Sequence, residues 1–174
     1  MSIERKMIYE GRVIKVSVDT VELPNGMRIP LELVRHPGGA AVVAIDADNR
    51  VCLLRQYRYA AGGYIYELPA GKLEPEEPPE TTARRELVEE GSVSASEWSS
   101  LGAFFSSPGV FTEIIHLYLA TGLSAVASTP EDDEVFQVEW WPLELAVERA
   151  YNGELTDAKT IVGILRAAAR QKFA

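Results

Sequence analysis

Between Gly71 and Val93 the chain reads GKLEPEEPPETTARRELVEEGSV, and within it Glu86, Glu89 and Glu90 stand three and four residues apart. The pattern from Pro79 to Glu90 is helical, with Ala83, Leu87 and Val88 as an apolar edge and Gly91 as the stop. That spacing projects the three carboxylates from one side of the helix, within reach of a single ion. Left alone they are unfavourable: like charges at this spacing cost roughly 0.2–0.5 kcal/mol per pair, and anions near a helix C-terminus about 0.3–1 kcal/mol each. The helix end therefore gains nothing structurally from them, whereas a hard divalent cation reverses the sign of every term. Oxygen-only donors, with no Cys or His nearby, favour Mg2+ or Mn2+ over zinc. A solvated acidic face neutralised by Arg84 and Arg85 is the other reading of the same residues.

The wider spacing selects between the two. Gly71, five residues, Glu77, seven residues and then Arg85-Glu86-Leu87-Val88-Glu89-Glu90 resembles the signature box of the Nudix hydrolases, which cleave nucleoside diphosphates linked to some other group. The resemblance covers about residues 40–170. It implies an α/β (α+β) fold in which a mixed sheet is sandwiched between helices. It also implies metal ligation by Glu86, Glu90 and the backbone carbonyl of Ala70, with Glu89 as a shared ligand or water orienter and Arg85 as a clamp on Glu77. One position departs from the pattern: the family usually has Gly two residues after the last Glu, and here that residue is Ser92, with Gly91 one place early. Either residue can end a helix, Gly more readily because it accepts the left-handed conformation, so what changes is the path of the chain just after the box.

The residues around the box supply candidates for binding and proton transfer. Glu67-Leu68-Pro69-Ala70-Gly71 leads into it, with Pro69 and Gly71 restricting the backbone that would present the Ala70 carbonyl. Arg55-Gln56-Tyr57-Arg58 closes a strand beside the site, and alternation places Arg55 and Tyr57 on one face and Gln56 and Arg58 on the other. Arginine suits bidentate phosphate contact. The resemblance favours Arg58 for it, with Arg55 either a second ligand or a surface ion pair, and Glu67 joins the expected substrate-binding set. Pro108 lies sixteen residues past Ser92, a placement similar to the ADP-ribose pyrophosphatase subgroup. By the same resemblance the general base comes from the acidic loop Glu131-Asp132-Asp133-Glu134, with Asp133 and Glu134 leading because they adjoin a strand starting at Val135, and with Glu113 in reserve. Tyr9 and Arg28 are expected to cover an adenine across a dimer. His36 and His116 form no metal spacing, and Cys52 reads as a core thiol.

These residues need elements to hold them. Residues 1–38 read as a β-rich segment: alternating runs at 12–18 and 29–34 flank Pro24-Asn25-Gly26, a hairpin signal, and His36-Pro37-Gly38-Gly39 closes the segment. It is too small to bury both faces, so it is expected to pack on the main domain or on a second subunit and to make a homodimer. Residues 39–174 read as the hydrolase domain. Strands are expected at 40–45 and 51–57 across an Asp48-Asn49 turn, at 64–71, near 98–105, and at 114–120 and 135–141. Helices are expected from Pro142 to Tyr151 and from about Ala158 to Lys172, the latter capped by Asp157 or Thr156.

Composition agrees with a small-molecule enzyme. A chain of 174 residues with 47% hydrophobic content can pack one ordinary domain. Its formal charge of −9 argues against a nucleic-acid polymer as partner, since that needs a basic stripe. One Cys excludes an internal disulfide framework, no secretory signal or apolar span is evident, and cytoplasmic residence is the default. The expected activity is Mg2+-dependent hydrolysis of ADP-ribose or a close nucleoside diphosphate sugar, giving AMP and ribose 5-phosphate in the first case. GDP-mannose or another nucleotide sugar is the alternative substrate, and a non-catalytic ADP-ribose-sensing Nudix domain is the alternative from another class. The three box carboxylates favour catalysis, and the absence of a nucleophile elbow argues against a serine hydrolase.

Overall fold

Asn25-Gly26 turns the chain as its composition requires, with Gly26 at φ +81° and Leu23 and Met27 closing the hairpin. The computed structural model describes residues 2–127 and 135–173. Strands β1 (Ser2–Glu10), β2 (Lys15–Glu22) and β3 (Arg28–Arg35) form an antiparallel sheet in that order. The run expected at 12–18 starts at Lys15, because Gly11 N–H donates to the Ile14 carbonyl and turns the chain out of β1. β1 escaped the pattern because its residues 4–10 are exposed on both faces. Buried Asp19 ties the sheet together, accepting from Ser17 (2.6 Å), Arg35 (2.7 Å) and Arg5 (3.1 Å). The Ser17 hydrogen bond, and then the two guanidinium groups, hold its carboxyl below the usual range against the effect of burial.

A continuous apolar run makes a strand buried on both faces, and β4 (Gly39–Ala44) is that strand. It lies in a mixed sheet of order β7-β4-β9-β8, parallel to β9 (Ile114–Ala125) and antiparallel to β7 (Ala70–Lys72), with β8 (Val93–Phe105) antiparallel to β9. Ala41 and Val43 enter one core with Leu53, Leu68, Leu117 and Ile164, while Ala40, Val42 and Ala44 enter another with Cys52, Ala83 and Leu87. The first core is closed by α2 (Leu143–Asn152) and α3 (Ala158–Phe173), the second by α1 (Pro79–Gly91). The mixed sheet between helices is therefore as expected. A second sheet, β10-β5-β6, holds β5 (Arg50–Arg58), β6 (Gly63–Glu67) and β10 (Phe136–Pro142). Among the described residues no helix is long and apolar enough to cross a membrane.

Two local expectations are corrected. The single strand at 64–71 is two strands, because Pro69 has no N–H for a ladder; its carbonyl accepts from Val42 N at 2.9 Å while the chain passes from the β5–β6 sheet to the β4–β7 sheet. At the end of α1, Gly91 is the last helical residue and Ser92 takes the left-handed conformation at φ +56°. The reason is packing: a Cβ on Gly91 would lie 3.0 Å from Leu87 Cδ1 and 3.6 Å from Cys52 Sγ. A side chain at Gly91 would crowd Leu87 of its own helix, and Ser92 bears the turn. At α3 the cap is Asp157, whose Oδ2 accepts from Thr160 N–H (2.9 Å) and the Thr160 hydroxyl (2.6 Å).

Candidate active site

The end of α1, β7 and the first turn of α3 converge on a cavity of about 490 Å³, within the range of small-molecule sites. One wall is the box helix. Arg85 Nη1 lies 2.7 Å from Glu86 Oε1 and 2.8 Å from Glu89 Oε2, while Arg85 Nε is 3.8 Å from Glu77 Oε1. Glu77 takes the Thr82 hydroxyl at 2.7 Å. Arg85 thus sits closer to Glu86 and Glu89 than to Glu77, the partner the resemblance implied. Burial works against its charge, but the two carboxylates outweigh burial and push its pKa up. The like-charge strain read from the sequence is relieved here by this guanidinium.

The other two box features meet β7. A Cβ on Gly71 would lie 1.7 Å from Glu86 Oε1, so the Glu86 carboxylate rests where any other residue would place its side chain. Glu90 is 2% exposed, and its Oε2 accepts the Ala70 N–H at 2.8 Å. This corrects the expectation that the carboxylates serve nothing structural: Glu90 pins the strand that bears Ala70. Burial, with the Glu90 charge behind it, pushes the Cys52 thiol up to about 12, as suits an inert core thiol.

Among the described residues no three His, Cys, Asp or Glu side chains already converge as a metal cage. The donor set nevertheless suits a hard cation. Oxygens of Glu86 and Glu89 meet on one cationic nitrogen, and carboxylate oxygen is the donor a hard cation takes.

Arg58, Lys159 and Asp157 line the same cavity. Glu67, its side chain 3% exposed, accepts a fork from Arg58 (Nε 2.7 Å, Nη2 3.0 Å) and the Lys159 ammonium on Oε2. Lys159 also pairs with Asp157 at 3.1 Å. Burial would raise the Glu67 pKa, but Arg58 and Lys159 prevail and hold it below its ordinary value. Arg58 lines the cavity with Glu67 buried beneath it, whereas Arg55 faces the other way and stacks 4.1 Å over the Tyr64 ring.

Ser106 and Glu113 line the cavity, and Glu113 Oε1 stands 3.1 Å from His36 Nδ1, the atom that also faces the Gly38 N–H. Pro108 stands in an exposed turn closed by Val110 and Phe111 amides on the Ser107 carbonyl, with Ser106 of the same loop reaching the cavity wall. Arg28 is exposed and pairs with Glu22 at 3.1 Å, outside the cavity of its own chain. Glu131, Asp132, Asp133 and Glu134 lie outside the described residues. Sequence reasoning passed over His36, Lys72, Glu74 and Lys159 as lining residues. For Lys159 there was one signal, a cation in the first turn of a helix, where the macrodipole disfavours it.

The chain also resembles known proteins over most of its length. A model of the NUDIX domain matches residues 35–161. The methanol dehydrogenase activator of Bacillus methanolicus is 42% identical over 94% of this chain and 89% of its own length. The ADP-ribose pyrophosphatase of Bacillus subtilis (strain 168) is 40% identical over the same shares. A crystal structure of an ADP compounds hydrolase superposes with a TM-score of 0.84 at 22% identity, covering 99% of this chain and 94% of the other. At that identity the structural likeness speaks for the fold, and the sequence matches carry the assignment. With the family match spanning most of the chain and close relatives spanning nearly all of it, the chain belongs to the Nudix family and is a Nudix hydrolase.

Proposed function

We propose that this Nudix hydrolase cleaves the diphosphate of ADP-ribose in the presence of Mg2+, consuming one water and releasing AMP and ribose 5-phosphate. The observation that carries the reading is that one cavity is lined both by the carboxylates of Glu86 and Glu89 and by the cations of Arg58 and Lys159. A diphosphate with its counter-cation is the ligand that satisfies both. The 40% identity to an ADP-ribose pyrophosphatase supports the choice of sugar nucleotide, and the position of Pro108 agrees with it.

Glu86, Glu90 and the Ala70 carbonyl would hold the cation, with Glu89 shared and Mn2+ able to substitute. Bound there, the cation would offset phosphate charge and lower the pKa of a water. Arg85 leaves Glu86 and Glu89 for Glu77, already 3.8 Å away, so the helix keeps an internal counter-ion pair. Arg58 takes a phosphate while Glu67 keeps its guanidinium oriented. Proton removal falls to Glu113 at the cavity wall or to Asp133 or Glu134 of the acidic run that precedes β10 in the sequence. The reading extends to a cytoplasmic homodimer in which Tyr9 and Arg28 of one protomer cover the adenine over its partner's cavity.

The substrate assignment is tested by kcat/KM over a panel of nucleoside diphosphate sugars. ADP-ribose is expected to lead, and a clear preference for GDP-mannose would replace it as substrate.

A further inference from the structure

We infer that Lys159 is a positioning residue for the phosphate-binding wall, holding Glu67 so that Arg58 presents its guanidinium to the anionic substrate. The inference rests on the reading that the cavity takes a nucleoside diphosphate.

The geometry is a chain from buried to exposed. Glu67 is almost wholly buried, Lys159 is 16% exposed and Arg58 is 43% exposed. Arg58 engages Glu67 through Nε and Nη2, one edge of a planar group, so the direction of the opposite edge follows from where the carboxylate points. Lys159 binds Oε2, the oxygen that also receives Arg58 Nη2, and so fixes the carboxylate's rotation from the far side.

Other duties for Lys159 are already filled. The cap of α3 is made by Asp157 with Thr160. The link from helix to strand end is made by Leu68 N–H on the Thr160 hydroxyl at 2.9 Å. A cation in the first turn opposes the helix dipole, so α3 does not gain from it as a helix. Its side chain pairs locally with Asp157 at 3.1 Å and, across the fold, with Glu67, a residue 92 positions away in the chain.

The test is a double-mutant cycle in steady-state kinetics with ADP-ribose and Mg2+, using the whole chain and variants Lys159→Met, Arg58→Gln and their combination. Lys159→Met is expected to raise KM by about tenfold with kcat changed little, the pattern of lost substrate binding. In the Arg58→Gln background the same change is expected to add less than about twofold, because its route through Arg58 is gone. Lys159→Arg is expected to recover most of the lost affinity. Should Lys159→Met fail to fold, Lys159→Gln keeps a donor for Glu67 while removing the charge, and takes its place in the cycle. Full multiplication of the two effects, or an unchanged KM in a folded Lys159 variant, overturns the inference while the diphosphate reading stands. A wild-type chain that hydrolyses no nucleoside diphosphate sugar overturns both.

Discussion

Glu86 and Glu90 share a motif but not an environment, and the difference makes separate predictions. Glu86 rests against Gly71, where an added Cβ would meet its carboxylate. Since the obstacle is the far end of a flexible side chain, Gly71→Ala should leave the fold intact and displace the carboxylate. Turnover should fall at least about tenfold, the scale of a misplaced catalytic group, with little change in Tm. Normal turnover in that variant would mean the Glu86 position is unimportant. Glu90 instead satisfies the part-buried Ala70 amide. In metal-free protein Glu90→Gln should hold Tm nearly constant, because the amide oxygen still accepts, while Glu90→Leu should cost about 1–3 kcal/mol by stranding that N–H. Thermal melts of the two variants in EDTA check this, and equal melts would contradict the structural role. The box carboxylates were legible because helical spacing is written into the sequence. Lys159 was not, since one lysine looks like another until the fold brings it to Glu67.

At the scale of elements, the ends of α1 and β6 show where local reading stops. Periodicity located α1 to within a residue, but which residue turns its end depended on the room left at Gly91 by the Leu87 side chain. Ser92→Gly should therefore stabilise modestly, by up to about 1 kcal/mol, through relief of the left-handed strain. Gly91→Ala should destabilise instead, as its Cβ presses on Leu87. Denaturant midpoints with unchanged slopes would show both, and stabilisation by Gly91→Ala would contradict the packing account. The break at Pro69 was visible as a proline but not as a change of sheet, because pairing partners are non-local. The junction of β6 and α3 also carries a pH dependence. Glu67 has a folded pKa below its ordinary value, so its contribution to stability is present above the ordinary glutamate range and is lost as pH falls through the lower folded value. Glu67→Gln should flatten that acid limb in chemical denaturation, and an unaltered limb would remove Glu67 as its source.

For the whole molecule, the fold class and the hydrolase family were legible from alternation, one apolar central strand and the box. β1 was not, because an exposed edge strand has no buried face to impose alternation. Met7, Ile8 and Tyr9 lie exposed on it, and a second protomer is the expected cover. Sedimentation at micromolar concentration should give a dimer, and Arg28→Ala should raise KM there although Arg28 is outside its own chain's cavity. A monomer of full activity would end that part of the account. Whether the box carboxylates act through a divalent cation on ADP-ribose is decided by product release from ADP-ribose with Mg2+ and with EDTA, for the wild-type chain and Glu86→Gln. AMP and ribose 5-phosphate are expected only with Mg2+, with a loss of orders of magnitude in the variant even at saturating metal. Equal turnover in EDTA, or near-normal turnover by Glu86→Gln, would contradict that role.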